Sequence, residues 1–363
     1  MSWIKKGVFL LIGWLIIVIP LLLVVEISLR IFNDEWTQAD RLNIIRDTKI
    51  NYVVDHLYNS KYTEINYSRD RFGLRGGCND PADIDILSIG GSTTDQRYVD
   101  DKFTYQSSLS RALSSHLGKE ICISNAGVDG HTTFGHISSF EYWFPQIEKL
   151  KPKFFLLYIG LNDADFINNT AREGYDNQLN RGFKPFLKKF EVVKILLRTK
   201  NIFTGLFPRL AYGSHSTRQI LDEDYSVTEV SSYSEELALE NAKSFEERLK
   251  KIMGFIERMG SKPICVTQPH RFVKEKSGVK YGLNNLFDID DKEFSGLDFD
   301  FSLQKINESI KKVCGLENTI DLYNYNFQDI DFYDYVHTTP QGSTKIGLLL
   351  ADEIIGSSLI DKF

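Results

Sequence analysis

The stretch Ile84-Asp85-Ile86-Leu87-Ser88-Ile89-Gly90-Gly91-Ser92-Thr93-Thr94 decides the fold of this chain. Its first residues are mostly β-branched or apolar, as in a strand of a parallel sheet covered on both faces. The paired glycines that follow allow a tight backbone turn, which leaves the Ser92 hydroxyl exposed near a helix start. Similar short runs lie at 121–123, 154–159, 263–267 and 319–322. Helix-like apolar recurrence at three and four residues marks 105–116, 134–150, 235–259, 302–313 and 341–355. Such alternation predicts an α/β fold, a three-layer α/β/α sandwich with a five-stranded parallel sheet, occupying residues 84–363.

Working outward, 165–234 fits the scheme poorly, being rich in Asn, Lys, Phe and Tyr, and reads as an insertion or lid. Residues 26–83 read as a polar and aromatic linker leading into the domain, closed by the turn cluster Gly76-Gly77-Cys78-Asn79-Asp80-Pro81. Residues 7–25 carry no charge and would span roughly 28 Å as a helix, close to the thickness of a bilayer's hydrocarbon core. Lys5 and Lys6 precede this run while Glu26, Asp34 and Glu35 follow it. That asymmetry predicts a transmembrane anchor at 7–25 with residues 1–6 cytoplasmic and the bulk of the chain periplasmic or extracellular. A cleaved signal peptide is the competing account, but the run is long for one and no small-residue cleavage site follows Val24-Val25-Glu26.

The 363 residues leave room for a substantial core, and 42% hydrophobic with 25% charged residues is the balance of a folded protein. A net charge of -6 without a basic stripe argues against a nucleic-acid partner. Cys78, Cys122, Cys265 and Cys314 stand far apart with no CxxC, so neither a zinc site nor a thioredoxin-like pair is suggested. Three disulfide pairings are formally possible, but Cys122 and Cys265 lie in apolar runs where buried free thiols are the simpler expectation. His131 and His136 lack partners at metal-ligand spacing and read as loop histidines, so no metal is expected.

In open parallel sheets, reactive groups gather at the carboxyl ends of strands. Past the first run stands Ser92; past the second, Asn125-Ala126-Gly127-Val128-Asp129-Gly130; past the third, Gly160-Leu161-Asn162-Asp163. Thr267-Gln268-Pro269-His270-Arg271 follows the fourth, making Gln268 and His270 candidates for substrate contact. Near the chain's end comes Asp334-Tyr335-Val336-His337-Thr338-Thr339-Pro340. Singly, each has an ordinary reading: Ser92 and Asp334 as caps, Gly127 as a turn glycine, Asn162 as an Asx turn, His337 as a surface histidine.

Jointly, Ser, Gly, Asn and Asp-x-x-His at successive strand ends resemble the sequence blocks of the SGNH hydrolase superfamily, the GDSL-like esterases and lipases, over about 84–355. One position departs from that family, which commonly has Asp where this chain has Gly91. The resemblance implies a flavodoxin-like sheet and an acyl-serine mechanism without a cofactor. In it Ser92 is the nucleophile, His337 the base and Asp334 its orienting carboxylate, with Ser92 N–H, Gly127 N–H and the Asn162 amide as the oxyanion hole. The implied reaction is hydrolysis of an acyl ester, acetyl being the simplest, on an envelope glycan or lipid. An O-acyltransferase acting on a surface polysaccharide would use the same residues, and a non-catalytic envelope scaffold could keep the same fold.

Overall fold

The computed structural model describes residues 3–32, 42, 44–55, 57–58, 64–165, 190, 192–193, 224–227, 229–284, 287–289 and 292–363. Strands in chain order are β1 (Thr48–Val53), β2 (Glu64–Arg69), β3 (Arg75–Gly76), β4 (Ile86–Gly90), β5 (Ile123–Asn125), β6 (Phe154–Tyr158) and β7 (Tyr225–Ser226), then β8 (Lys262–Val266), β9 (Val273–Lys276), β10 (Val279–Leu283), β11 (Phe287–Ile289), β12 (Lys292–Phe294) and β13 (Thr319–Ile320). Helices are α1 (Trp3–Phe32), α2 (Ser92–Asp95), α3 (Tyr105–Leu117), α4 (Thr133–Ser138), α5 (Leu161–Ala164), α6 (Ser232–Arg258), α7 (Gly296–Cys314) and α8 (Pro340–Ile355).

The main sheet runs β13-β8-β6-β4-β5-β3. Its first five members are parallel, from Thr319 opposite Cys265 to Ile86 opposite Ile123. Counted along the chain, the parallel strands lie in the order 2-1-3-4-5, the flavodoxin-like arrangement, whose switch point falls between β4 and β6. The expected five-stranded parallel sheet therefore needs one correction. A sixth, antiparallel edge strand, β3, pairs Arg75 with Asn125 and Gly76 with Ser124. Two residues carry no readable periodicity, so nothing in the sequence marks it.

Strand side chains alternate between faces, and each face has its own core. Leu87, Ile89, Phe155, Leu157 and Cys265 pack with Phe140, Trp143, Phe245, Leu249 and Ile306 on the side of α6 and α7. Ile86, Phe154, Leu156, Ile264 and Val266 pack with Tyr105, Leu109, Ile346 and Leu350 on the side of α3 and α8. Burying each such side chain is worth about 1.5–3 kcal/mol, which is why long helices form where the apolar stripes are. Their ends are set locally. Thr104 accepts from Ser107 N–H at the start of α3, Ser295 and Asp298 form a capping box on α7, and Pro340 occupies the first turn of α8 behind the Thr339 cap.

The helix expected over 134–150 is interrupted. α4 passes into a π-helical turn, Ser139–Trp143, and a 3-10 turn, Phe144–Gln146. Pro145 is the physical reason, since it has no N–H for the ladder and crowds the preceding turn. The expectation of free thiols is also overturned. Cys78 is bonded to Cys122 and Cys265 to Cys314, with no free cysteine. The first bond ties the β3 edge to the approach to β5, and the second ties β8 to the end of α7.

Within the expected linker, β1 and β2 form an antiparallel hairpin whose Ile50, Tyr52, Ile65 and Tyr67 build a small core with Tyr98. The expected lid at 165–234 falls largely outside the described residues. Among those described, β7 pairs with β10 of a small three-stranded sheet and α6 begins at Ser232. The run at 7–25 lies on α1, where the side chains of 3–13 and 15 are outside the described set. Among the described residues, no helix is long and apolar enough to cross a membrane.

Candidate active site

β4 delivers the chain to the switch point, and Ser92 opens α2 there. At this first helical position the backbone N–H has no partner within the helix and points outward with the positive end of the turn. β6 ends beside it, so Asn162, second residue of α5, lies against Gly91, the residue before Ser92. A Cβ on Gly91 would lie 2.4 Å from Asn162 Nδ2 and 3.3 Å from the His131 carbonyl. A side chain there would have to displace the Asn162 amide from this position.

The third contributor comes from the far end of the chain. His337 Nε2 is 2.7 Å from Ser92 Oγ, and His337 Nδ1 is 2.6 Å from Asp334 Oδ2. Asp334 Oδ1 accepts the Val336 and His337 N–H groups at 2.9 and 2.7 Å, so the short Asp-x-x-His segment is an Asx-type turn that fixes both partners at once. Because Nδ1 faces a carboxylate it carries the proton, leaving Nε2 as acceptor for the Ser92 hydroxyl. Tyr333 lies nearly parallel to the imidazole, 5.6 Å away.

Burial opposes a charge on His337, but the Asp334 carboxylate and its hydrogen bond outweigh that, with Asp129 and Asp95 adding to the effect, and the imidazole is raised above its ordinary value. Burial would likewise raise Asp334, yet His337 and the two backbone donors hold it below the usual carboxylate range. The pair is thus arranged to accept a proton at Nε2 while Asp334 stays ionised.

Other expected residues are placed as follows. Asn162 Nδ2 donates to the His131 carbonyl at 2.9 Å, which sets the orientation of its amide. Gly127 N–H donates to Asn125 Oδ1 at 2.7 Å, and a Cβ on Gly127 would meet Asp95 N at 2.4 Å, so this glycine lets the β5 loop lie against the backbone of α2. The geometry brings Gly127 to the site, but its N–H is engaged by Asn125 rather than directed at Ser92 Oγ.

Gln268 is buried and joins the nucleophile turn by accepting from Thr93 Oγ1 at 2.8 Å. His270 belongs to a different cluster. Its Nδ1 accepts the Phe272 N–H at 3.1 Å and its Nε2 faces Asp300 Oδ1 at 3.0 Å, so both ring nitrogens are engaged within the protein and the expected substrate contact has no donor or acceptor to make it. Asp300 also receives Tyr323, Lys280 and Gln304; burial would raise this carboxyl, but His270 above all, with Tyr323 and Lys280, pulls it down to about 2. His131 Nε2 lies 3.0 Å from the Leu42 carbonyl, and among the described residues no three His, Cys, Asp or Glu side chains converge to hold a metal.

Asp163 does more than follow Asn162. It accepts Thr133 N–H and Oγ1 and meets Arg248 at 3.3 Å, pinning the β6 loop to α4 and α6. Asp95, Gln96 and Arg69 are not marked by the motifs: Arg69 grips Asp95 at the end of α2, and Gln96, which caps that turn, reaches Thr338. Asp95 alone had a readable signal, a carboxylate one helical turn past the serine.

No family model matches the chain, and no curated protein does. Among solved structures it is similar to the lipase Lip_vut3 from a goat rumen metagenome, with a TM-score of 0.43 and 11% identity over 74% of this chain and 97% of that one. It is also similar to the acetyl xylan esterase AlAXEase, at 0.38 and 14% over 74% and 98%. The psychrotrophic esterase EstA from Pseudoalteromonas sp. is similar at 0.40 and 9% over 75% and 96%. At TM-scores this low, the functional reading rests on the site's own geometry.

Proposed function

We propose that this chain is a serine ester hydrolase acting on an acyl ester outside the cytoplasm. The observation that carries the reading is the unbroken line Asp334–His337–Ser92 at 2.6 and 2.7 Å, with the Asn162 amide beside Gly91, next to the serine. Its parts come from three of the four blocks by which the sequence resembles the SGNH hydrolases, those of Ser92, Asn162 and Asp334 with His337.

In the proposed reaction Ser92 Oγ attacks the ester carbonyl as its proton passes to His337 Nε2, and Asp334 stabilises the imidazolium. The Ser92 N–H and the Asn162 amide hold the oxyanion. Collapse expels the alcohol, which takes the proton from His337 and leaves acyl-Ser92. Water, deprotonated by the same nitrogen, then releases the acid and restores the serine. All electron pairs stay within these bonds, so no cofactor enters.

The localisation is proposed on three supports. Residues 7–25 are charge-free behind Lys5 and Lys6. Trp14, Ile16, Ile17 and Leu21 stand exposed on α1, an apolar surface. Two disulfides suit an oxidising compartment.

The full chain should be labelled by a fluorophosphonate and should hydrolyse p-nitrophenyl acetate, both lost in Ser92→Ala. A folded wild type that neither labels nor hydrolyses defeats the reading. If acetyl appears on an added glycan faster than as free acetate, the acceptor is a sugar hydroxyl rather than water.

A further inference from the structure

The hairpin ahead of the main sheet ends in a buried arginine that the proposed chemistry does not use. Arg69 closes β2 with its side chain only 2% exposed. Its Nη2 donates to Asp95 Oδ1 and to the Gly127 carbonyl, both at 2.6 Å, and its Nη1 donates to the Gly73 carbonyl at 2.6 Å. Its Nε donates at 2.6 Å to the Tyr67 hydroxyl, which itself donates to Asp95 Oδ1 at 2.9 Å.

Asp95 ends the single helical turn that Ser92 begins. Burial alone would raise this carboxyl, but Arg69, Arg97 and Arg75 hold it below the ordinary carboxylate range. Arg75 takes the same turn by its carbonyls, donating to Asp95 O at 2.6 Å and Gln96 O at 2.8 Å. Gln96 reaches onward to Thr338 Oγ1, the residue next to His337, at 3.1 Å.

One helical turn cannot hold its own pose, because nucleating a helix is unfavourable without outside contacts. The start of α2 is fixed by β4; its far end is fixed by side chains, among them Arg69 and Asn125, each of which also holds the Gly127 loop. A planar guanidinium can serve four acceptors in fixed directions, which an ammonium cannot. We propose that Arg69 is a positioning residue for Ser92, so that the β1–β2 hairpin belongs to the catalytic unit and is not a spacer. This rests on the ester-hydrolase reading above.

The test uses the full chain with p-nitrophenyl acetate and a fluorophosphonate as probes. Arg69→Lys should lower kcat about tenfold or more with KM within about twofold, and the rate of Ser92 labelling should fall in parallel, since small misplacements of a reacting atom carry penalties of that order. Tyr67→Phe keeps the ring but removes the hydroxyl that orients Arg69 Nε, and should lower kcat and labelling about threefold. Should Arg69→Lys fail to fold, Tyr67→Phe decides the matter. Folded variants that lose thermal stability while keeping wild-type kcat and labelling overturn the proposal and leave Arg69 a structural brace. A wild type that neither labels nor hydrolyses overturns the ester reading and this inference together.

Discussion

At the scale of single residues, the site makes charge and space equally testable. His337 must be neutral at Nε2 to take the serine proton, and its ionisation is raised above 6.5 by Asp334. A raised value means the protonated, inactive form persists to higher pH, so kcat/KM should climb through one ionisation lying above that of an ordinary imidazole. Asp334→Asn removes the charge that raises it. The acid limb should then shift down in pH while kcat drops by about 10⁴, the loss seen where the orienting carboxylate of such a triad is replaced by its amide. An acid limb that stays in place in the variant would mean that Asp334 does not set this ionisation. If Asn162 holds the oxyanion as proposed, Asn162→Ala should cost about 10²–10³ in kcat with little change in KM, because that charge exists only in the transition state. Gly91 supplies a sterner case. Gly91→Asp places a Cβ 2.4 Å from Asn162 Nδ2, so activity should fall as far as in Asn162→Ala and not rise. Wild-type turnover in Gly91→Asp would show that Asn162 can move aside without consequence.

At the scale of elements, the two disulfides invite a direct measurement. Thiol titration of the unfolded, unreduced chain should find no free cysteine, and Cys265→Ala should lower stability to denaturant by about 2–4 kcal/mol, the usual worth of a bond closing a loop of this kind. Detection of four free thiols in protein from an oxidising compartment would contradict both pairings. These bonds were not legible in the sequence because pairing depends on where β3 and α7 place Cys78 and Cys314, and spacing alone leaves every combination open. The parallel strands and long helices were legible, because residues such as Leu87, Phe155, Leu249 and Leu350 repeat with the period of their element. So were Ser92, Asn162, Asp334 and His337, since strand ends are where such groups collect. What escaped detection was long-range or short in extent: β3 with its two residues, the hairpin inside an apparent linker, and the clasp of Arg69 on Asp95, which spans 26 positions and leaves no local pattern. His270 shows the converse failure. Its position after β8 suggested substrate contact, but Asp300 on α7, distant in sequence, engages it instead.

For the whole molecule, the question is whether α1 spans a bilayer, lies on its surface or is only an apolar tail. A helix that lies in the interface needs a polar face opposite its apolar one, and residues 7–25 hold no charged side chain from which to build it. Leu, Ile, Val and Phe at about 0.3–0.6 kcal/mol each near the centre of a span together favour insertion by several kcal/mol, more than Gly13 and Pro20 oppose. In the proposed localisation, Lys5 and Lys6 on one side and an acidic flank on the other would orient the insertion, and the two disulfides suit a domain on the oxidising side. The full chain should therefore sediment with membranes through high-salt and alkaline carbonate washes, and protease added to intact cells whose outer barrier has been opened should cleave the domain while the membrane stays sealed. Release by carbonate would remove the span and leave a peripheral helix. Protection of the domain from that protease would reverse the orientation and set it in a reducing compartment, where the Cys78–Cys122 and Cys265–Cys314 bonds would not be expected to survive.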